Sequence, residues 1–171
     1  MAISLRRSER LPEQVRDALG LGSGERVLSW GREETSGTTL VATNHALYAV
    51  DAAGECTVHR PWHEVDGGTW SAELTTLTVT WVDGSRPSQW VLGATSLVPE
   101  TLRERVQASV VLAQRIELGP RRSAKVALRQ DLATGDLVEQ VVLGRGARAD
   151  DPELEARTEA VLAYLREQVG R

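Results

Sequence analysis

The segment of residues 39–50 reads TLVATNHALYAV and constrains the fold more strongly than any other part of the chain. Two short apolar runs flank Asn44, and asparagine tolerates the positive φ of a tight turn. The pattern predicts two antiparallel strands joined by a short turn. A further strand is predicted over residues 56–60, where Pro61 interrupts it.

Alternation of apolar and polar residues extends this prediction downstream. Residues 74–82 alternate most clearly, with threonines on one face and an apolar face that consists of Leu77, Val79 and Trp81. The other signals predict strands over residues 26–31 and 88–92 and a bulge or turn at residues 67–68. The front of the chain is therefore predicted to be a small antiparallel β domain.

Helical periodicity marks the elements around this domain. A short helix is predicted over residues 12–19. Pro99 suits the first turn of a second helix, whose apolar stripe is predicted to consist of Leu102, Val106, Ser109, Val110 and Ala113. A β-hairpin is predicted from the apolar patterns of residues 124–129 and 137–143. Asp151 opens a last helix, whose apolar side is predicted to consist of Leu154, Val161, Leu162, Leu165 and Val169.

Two strings carry a resemblance to a known family. LVATNHALYAV resembles the strand–turn–strand element of bacterial PH-like and GRAM-like domains, and VHRPWHEVDGGTW is similar to the element that follows it. Ala46 departs from the family pattern, which usually has an arginine there that ties down the turn. The chain is also similar to uncharacterised actinobacterial proteins of similar length, a resemblance that implies no particular activity.

The resemblance implies an α+β fold, in which a PH-like antiparallel partial barrel or sandwich is capped by an amphipathic helix and followed by a C-terminal β-hairpin plus helix extension. The predicted division is an N-terminal arm and short helix over residues 1–24, a PH-like domain over residues 25–115 and a ββα extension over residues 116–171.

Composition limits the location and the partners. The net charge of −4 gives no general attraction to nucleic acid or anionic lipid. The single cysteine, Cys56, fits a reducing compartment. The first residues lack the apolar core of a signal peptide, and no apolar run approaches the roughly 20 residues of a membrane helix. A cytoplasmic protein without a transmembrane segment is predicted.

Cys56, His59 and His63 have the spacing C-x2-H-x3-H, which raises the hypothesis of a zinc site or a cysteine nucleophile. Side chains alternate along a strand, so Cys56 and His59 are expected on opposite faces, and a fourth ligand would have to be His45 or a carboxylate. The alternative is a buried cysteine with two surface histidines. No metal, cofactor or catalytic residue is predicted.

A basic cluster is the strongest candidate for an interaction surface, and its members are Arg121, Arg122, Lys125 and Arg129. On a strand, Lys125 and Arg129 share a face with Ala127, which predicts a positive outer surface over residues 121–129 for an acidic partner, RNA or anionic lipid. The alternative is a solvated face that the acidic residues of the last helix partly neutralise. The loop that binds phosphoinositides in PH-like domains carries Glu33 and Glu34 here, which is the wrong charge.

The five tryptophans divide into two predicted groups. Trp81 is expected in the core, with Trp30 and Trp62 as packing anchors. Trp70 and Trp90 are expected to be core residues or to be partly exposed and seed an interface. The predicted function is a non-enzymatic PH-like module that acts through protein contacts. Binding of nucleic acid or an anionic lipid surface is the alternative, and a metal- or cysteine-dependent enzyme is a minor one.

Overall fold

The computed structural model describes residues 10–170 of the chain. Over these residues the protein has an α+β fold with three antiparallel sheets and three α-helices, which confirms the predicted class. The sheets of the described residues form no closed barrel. The arm predicted for residues 1–10 lies, up to residue 9, outside the described residues.

Two meanders form the front of the molecule. The first sheet has the strand order β1 (Val27–Arg32), β2 (Thr39–Thr43), β3 (Ala46–Val50) and β4 (Cys56–Pro61). A short 3-10 helix, Trp62–Glu64, leads into the second sheet, which has the order β5 (Val65–Ser71), β6 (Thr76–Trp81) and β7 (Ser88–Val91). The register shifts between Val65 and Gly67, which places a bulge at Asp66. The bulge or turn predicted at residues 67–68 is therefore displaced, because both glycines pair regularly with β6.

The remaining elements flank this front unit. Helix α1 (Glu13–Leu19) precedes it and α2 (Val98–Ser109) follows it. The third sheet has the order β10 (Leu137–Leu143), β9 (Ser123–Gln130) and β8 (Val110–Glu117), and α3 (Pro152–Val169) ends the described chain. None of the helices within residues 10–170 combines the length and the apolar character needed to cross a membrane.

Strand β8 corrects the prediction for the second helix. The predicted apolar stripe continued to Val110 and Ala113, but the helix ends at Ser109 and both residues lie in β8. The hydroxyl of Ser109 donates to the carbonyl of Val106 at 2.7 Å, which satisfies a group at the helix end. The β-branched Val110 and Val111 follow and favour a strand. The extension therefore has three strands before its helix, where a two-stranded hairpin was predicted.

The main core lies between the two front sheets and α2. Leu77, Val79 and Trp81 are buried on one face of β6, as the alternation predicted. Trp62 is fully buried, and its indole N–H donates to the carbonyl of Thr43 at 2.9 Å. This hydrogen bond ties the 3-10 helix to the turn between β2 and β3.

Strands β2 and β3 are buried on both faces. Their inner face joins the main core, while Val41, Tyr48 and Val50 pack on the outer face against α1. Because both faces are covered, these strands carry nearly continuous apolar runs.

Local hydrogen bonds hold the turn between β2 and β3, where Ala46 takes the place of the arginine expected from the resemblance to PH-like domains. The hydroxyl of Thr43 accepts the backbone N–H groups of His45 at 3.1 Å and Ala46 at 2.9 Å. The side chain of Asn44 accepts the N–H of Arg26 at 2.7 Å. Local hydrogen bonds from Thr43 and Asn44 therefore replace the expected contact.

Candidate functional site

The basic cluster does not form an outer surface. Arg129 is only 2% exposed, so the outward orientation predicted for it is wrong. Its guanidinium donates to the carbonyls of Trp62 at 2.7 Å and Val65 at 3.1 Å, and to the hydroxyl of Ser109 at 2.6 Å and 2.9 Å. Burial lowers the pKa of Arg129, and the charge of Asp66 partly offsets this effect. Arg129 joins the third sheet to the front unit.

The other members of the cluster have separate surroundings. Lys125 also faces the front unit and forms an ion pair with Asp66 at 2.5 Å. Arg122 forms one with Asp151 at 2.9 Å, just before α3, as expected if acidic residues near the last helix neutralise the cluster. Arg121 is exposed. The structure therefore leaves no continuous positive ribbon over residues 121–129.

The candidate metal ligands are also separated. Cys56 is exposed, and His63 is 8% exposed in the 3-10 helix. The alternative of a buried cysteine with two surface histidines is therefore wrong for Cys56 and His63. His59 is exposed and stacks on Tyr48, with 4.4 Å between the ring centroids. Among residues 10–170, no group of three or more His, Cys, Asp or Glu side chains is placed to hold a metal ion.

The two tryptophans proposed for an interface belong to the core. Trp90 is 7% exposed and lies in the main core cluster, so a partly exposed Trp90 is wrong. Trp70 is half-buried and packs against the same cluster. Trp90 therefore offers no surface to a partner, whereas Trp70 stays partly exposed at the edge of the core.

Open strand edges offer a different kind of site. Within the described chain β10 pairs with β9 and with no other strand. The N–H of Gly144 donates to the carbonyl of Ser123 in β9 at 2.8 Å. Because backbone groups alternate in direction along a strand, those of Glu139, Val141 and Leu143 point away from β9. No hydrogen bond among the described residues reaches these outward groups.

A groove lies beside this open edge. It has a volume of about 400 Å³, and its lining residues are Val141, Leu143, Ala149, Leu154, Glu155, Thr158 and Glu159. Residues of β10 form one wall and residues of α3 the other, so the floor is mainly apolar and the helix contributes an acidic rim. The hydroxyl of Thr158 is buried without a hydrogen-bond partner among residues 10–170.

The acidic rim is only partly neutralised. Arg166 pairs closely with Glu139 at 2.5 Å, which lowers the pKa of that carboxyl. The same arginine reaches Glu159 at 3.4 Å. Glu155 is exposed and forms no ion pair within the described chain. The rim therefore has negative charge available for a partner.

Two other edges are partly occupied. The outward N–H of Val91 in β7 donates to the carboxylate of Glu33 at 2.9 Å. In β8, Arg157 of α3 donates to the carbonyl of Glu117 at 2.7 Å and occupies one end of that edge. Strand β10 thus has both an unpaired edge and an apolar groove, which sequence patterns miss because β10 and α3 are far apart in the chain.

A second cavity lies beside Glu25, and residues of β3 and β4 form part of its wall. The carboxylate of Glu25 accepts the hydroxyls of Thr43 at 2.6 Å and Tyr48 at 2.9 Å, and the N–H of Gly22 at 3.2 Å. Burial alone would raise the pKa of Glu25, but these hydrogen bonds outweigh burial and lower it. Burial and the bond to Glu25 raise the pKa of Tyr48. Glu25 is therefore a half-buried, ionised carboxylate.

Neither the scan of protein-family models nor the search of curated proteins gave a match to this chain.

Proposed function

We propose that the chain is a non-enzymatic, cytoplasmic PH-like module that binds an extended segment of another protein as an added strand on β10. The order of a four-stranded meander, a three-stranded meander and a covering helix supports the PH-like part of this proposal. The unpaired edge of β10 beside an apolar groove is the observation that carries the binding function.

Strand addition uses both parts of this site. The outward backbone groups of Glu139, Val141 and Leu143 would pair with the main chain of the segment, which gives affinity regardless of its sequence. Alternate side chains of the segment would then enter the groove between β10 and α3, since side chains alternate along a strand. Apolar side chains at alternate positions fit the groove walls.

Charge selects among such segments. Glu155 and Glu159 rim the groove, and Glu155 has no cationic partner in the described chain. A lysine or arginine next to the apolar positions of the segment would supply that charge. We therefore propose that the preferred segment is extended and that apolar and basic residues alternate along it.

The alternative of nucleic-acid or lipid-surface binding loses its support because the cluster that suggested it is dispersed. Arg129 is buried, and Lys125 and Arg122 are paired with carboxylates. We do not propose that alternative.

Selection from a displayed library of random ten-residue peptides tests the proposal, with binding of the selected peptides measured by calorimetry. Leu143→Pro removes one outward N–H and one groove side chain at the open edge, where proline is tolerated. Ala113→Pro makes the same backbone change on the opposite edge of the sheet and serves as the matched control.

We expect selected peptides to be alternately apolar and basic, to bind the native protein and Ala113→Pro alike, and to lose binding to Leu143→Pro. Glu155→Gln is expected to weaken their binding, while Glu167→Gln on an exposed part of α3 leaves it unchanged. If no peptide is selected, or if Leu143→Pro binds as well as Ala113→Pro, the proposed function is wrong.

A further inference from the structure

The cavity beside Glu25 is a second site that the proposed function does not use. Its volume is about 400 Å³, and it lies where the α1–β1 loop, β3 and β4 meet the turn between β9 and β10. Its lining residues are Leu19, Gly20, Gly22, Ser23, Glu25, His45, Ala46, Tyr48, His59, Pro61, Asp131 and Ala133. A cavity of this size with a few convergent polar groups is typical of a small-ligand site.

Glu25 supplies an ionised carboxylate that forms no salt bridge among residues 10–170. It lies next to the cavity, is half-buried, and forms no ion pair within the described chain. The two hydroxyls and the N–H outweigh the cost of burial and hold this carboxylate ionised, and the charge of His45 adds a smaller favourable effect. Glu25 therefore presents a stable negative charge to the cavity, and no lysine or arginine of the described chain lines the cavity to neutralise it.

A second carboxylate reaches the cavity from the other side. Leu132 packs against the main core, which fixes the turn between β9 and β10. In this turn one carboxylate oxygen of Asp131 accepts the N–H of Ala133 at 2.8 Å. The other oxygen of Asp131 has no hydrogen bond among residues 10–170. Two carboxylates, one from the front unit and one from the extension, thus line the same cavity.

The remaining walls suit an organic cation. None of the lining residues is a lysine or an arginine. Tyr48, which is only 2% exposed, stacks on the exposed His59, so the aromatic wall of the cavity is mainly the His59 ring. A metal ion fits less well, because the described residues hold no cluster of ligands for one.

We propose that this cavity binds an ammonium or guanidinium group through Glu25 and Asp131. The group belongs either to a free small amine or to a lysine or arginine side chain of a protein. Both sources present the same charge and the same N–H donors to the two carboxylates.

Two probes separate the sources, and binding is followed by amide chemical shifts and calorimetry. Putrescine represents a free amine, and acetyl-Gly-Arg-Gly-amide represents a protein side chain, with 1-butanol as an uncharged control. We expect saturable binding of at least one cation, with shifts in the α1–β1 loop and in the turn that contains Asp131, and no such binding of butanol.

The variants connect binding to the carboxylates. Glu25→Gln keeps an oxygen for Thr43 and Tyr48 but removes the charge, and we expect it to raise the Kd for the bound cation by about tenfold or more. Asp131→Asn keeps the acceptor for Ala133 and is expected to act in the same direction. Glu55→Gln, on an exposed turn, is the matched control and should leave the Kd unchanged.

Each result decides the proposal. Binding of putrescine alone assigns the site to a free amine, and binding of the arginine peptide assigns it to a protein side chain. If neither cation binds, or if Glu25→Gln and Asp131→Asn both bind as the native protein does, the proposal is overturned. Because the site lies apart from β10, the binding results with Leu143→Pro test the proposed function separately.

Discussion

Arg129→Met tests the contact between the third sheet and the front unit. The guanidinium of Arg129 is 2% exposed and donates to the carbonyls of Trp62 and Val65 and to the hydroxyl of Ser109. Methionine has a similar length and flexibility but offers these three oxygens no donor. The substitution therefore removes polar contacts while it largely keeps the apolar volume.

The expected cost follows from two opposing effects. A hydrogen bond to a charged group contributes roughly 1.5–3 kcal/mol, and an acceptor left buried without a partner costs about 1–3 kcal/mol. Against this, the substitution removes a buried charge whose desolvation is itself costly, as the lowered pKa of Arg129 indicates. We expect a net loss of about 2–4 kcal/mol in the free energy of unfolding.

Urea unfolding measures this loss, with tryptophan fluorescence and far-ultraviolet circular dichroism as separate probes. Arg121→Met is the matched control, because Arg121 is exposed and its substitution should change the free energy of unfolding by no more than about 0.5 kcal/mol. Arg129→Lys keeps the charge and some of the donors, so its cost should be smaller than that of Arg129→Met. If Arg129→Met were no less stable than Arg121→Met, the buried position of Arg129 would be wrong.

Two further predictions concern packing and pH. A Cβ atom on Gly68 would lie 2.6 Å from Cδ2 of the buried Leu102, so Gly68→Ala should cost about 1–3 kcal/mol in urea unfolding, whereas Gly67→Ala, whose Cβ meets nothing closer than 3.9 Å, should cost much less. Equal costs would contradict this packing. The pKa of Glu25 is lowered from 4.5 on folding, so its stabilising effect is present above about pH 4.5 and is lost as the pH falls through the folded-state pKa. Glu25→Gln should therefore make the thermal midpoint less dependent on pH in the acid range, and an unchanged pH profile would contradict this role.

Local patterns predicted the front of the molecule well. Strands Thr39–Thr43 and Ala46–Val50 match the predicted segments, and the bulge in β5 lies directly before the predicted glycines. These features depend on alternation and on turn residues, whose effects act over a few neighbouring positions. The sequence therefore contained enough information to define the strands and their turns.

The sites depend on contacts between distant segments, and local patterns do not reveal them. Alternation placed Lys125 and Arg129 on one face of β9, which is correct, but it could not show that the front unit covers this face. The bond between Glu25 and Tyr48 spans 23 positions. A basic residue between apolar neighbours, as Lys125 is between Ala124 and Val126, is a weak signal that a strand has two covered faces.

The segment after Ser109 shows why helix ends are hard to predict. The end of α2 can be tested by whether one substitution in this segment raises or lowers the free energy of unfolding. Residues 110–117 of the chain continue the apolar spacing of α2, so their apolar pattern fits a helix as well as a strand.

In a helix, Val111→Ala would stabilise the protein, because alanine has the higher helix propensity by up to about 0.7 kcal/mol. In the partly exposed edge strand β8, the same change should destabilise it, within the span of about 1 kcal/mol that strand propensities cover. Gln107→Ala lies within α2 and should be neutral or slightly stabilising. Urea unfolding gives both signs under the same conditions, and a Val111→Ala variant more stable than the native protein would show that α2 continues past Ser109.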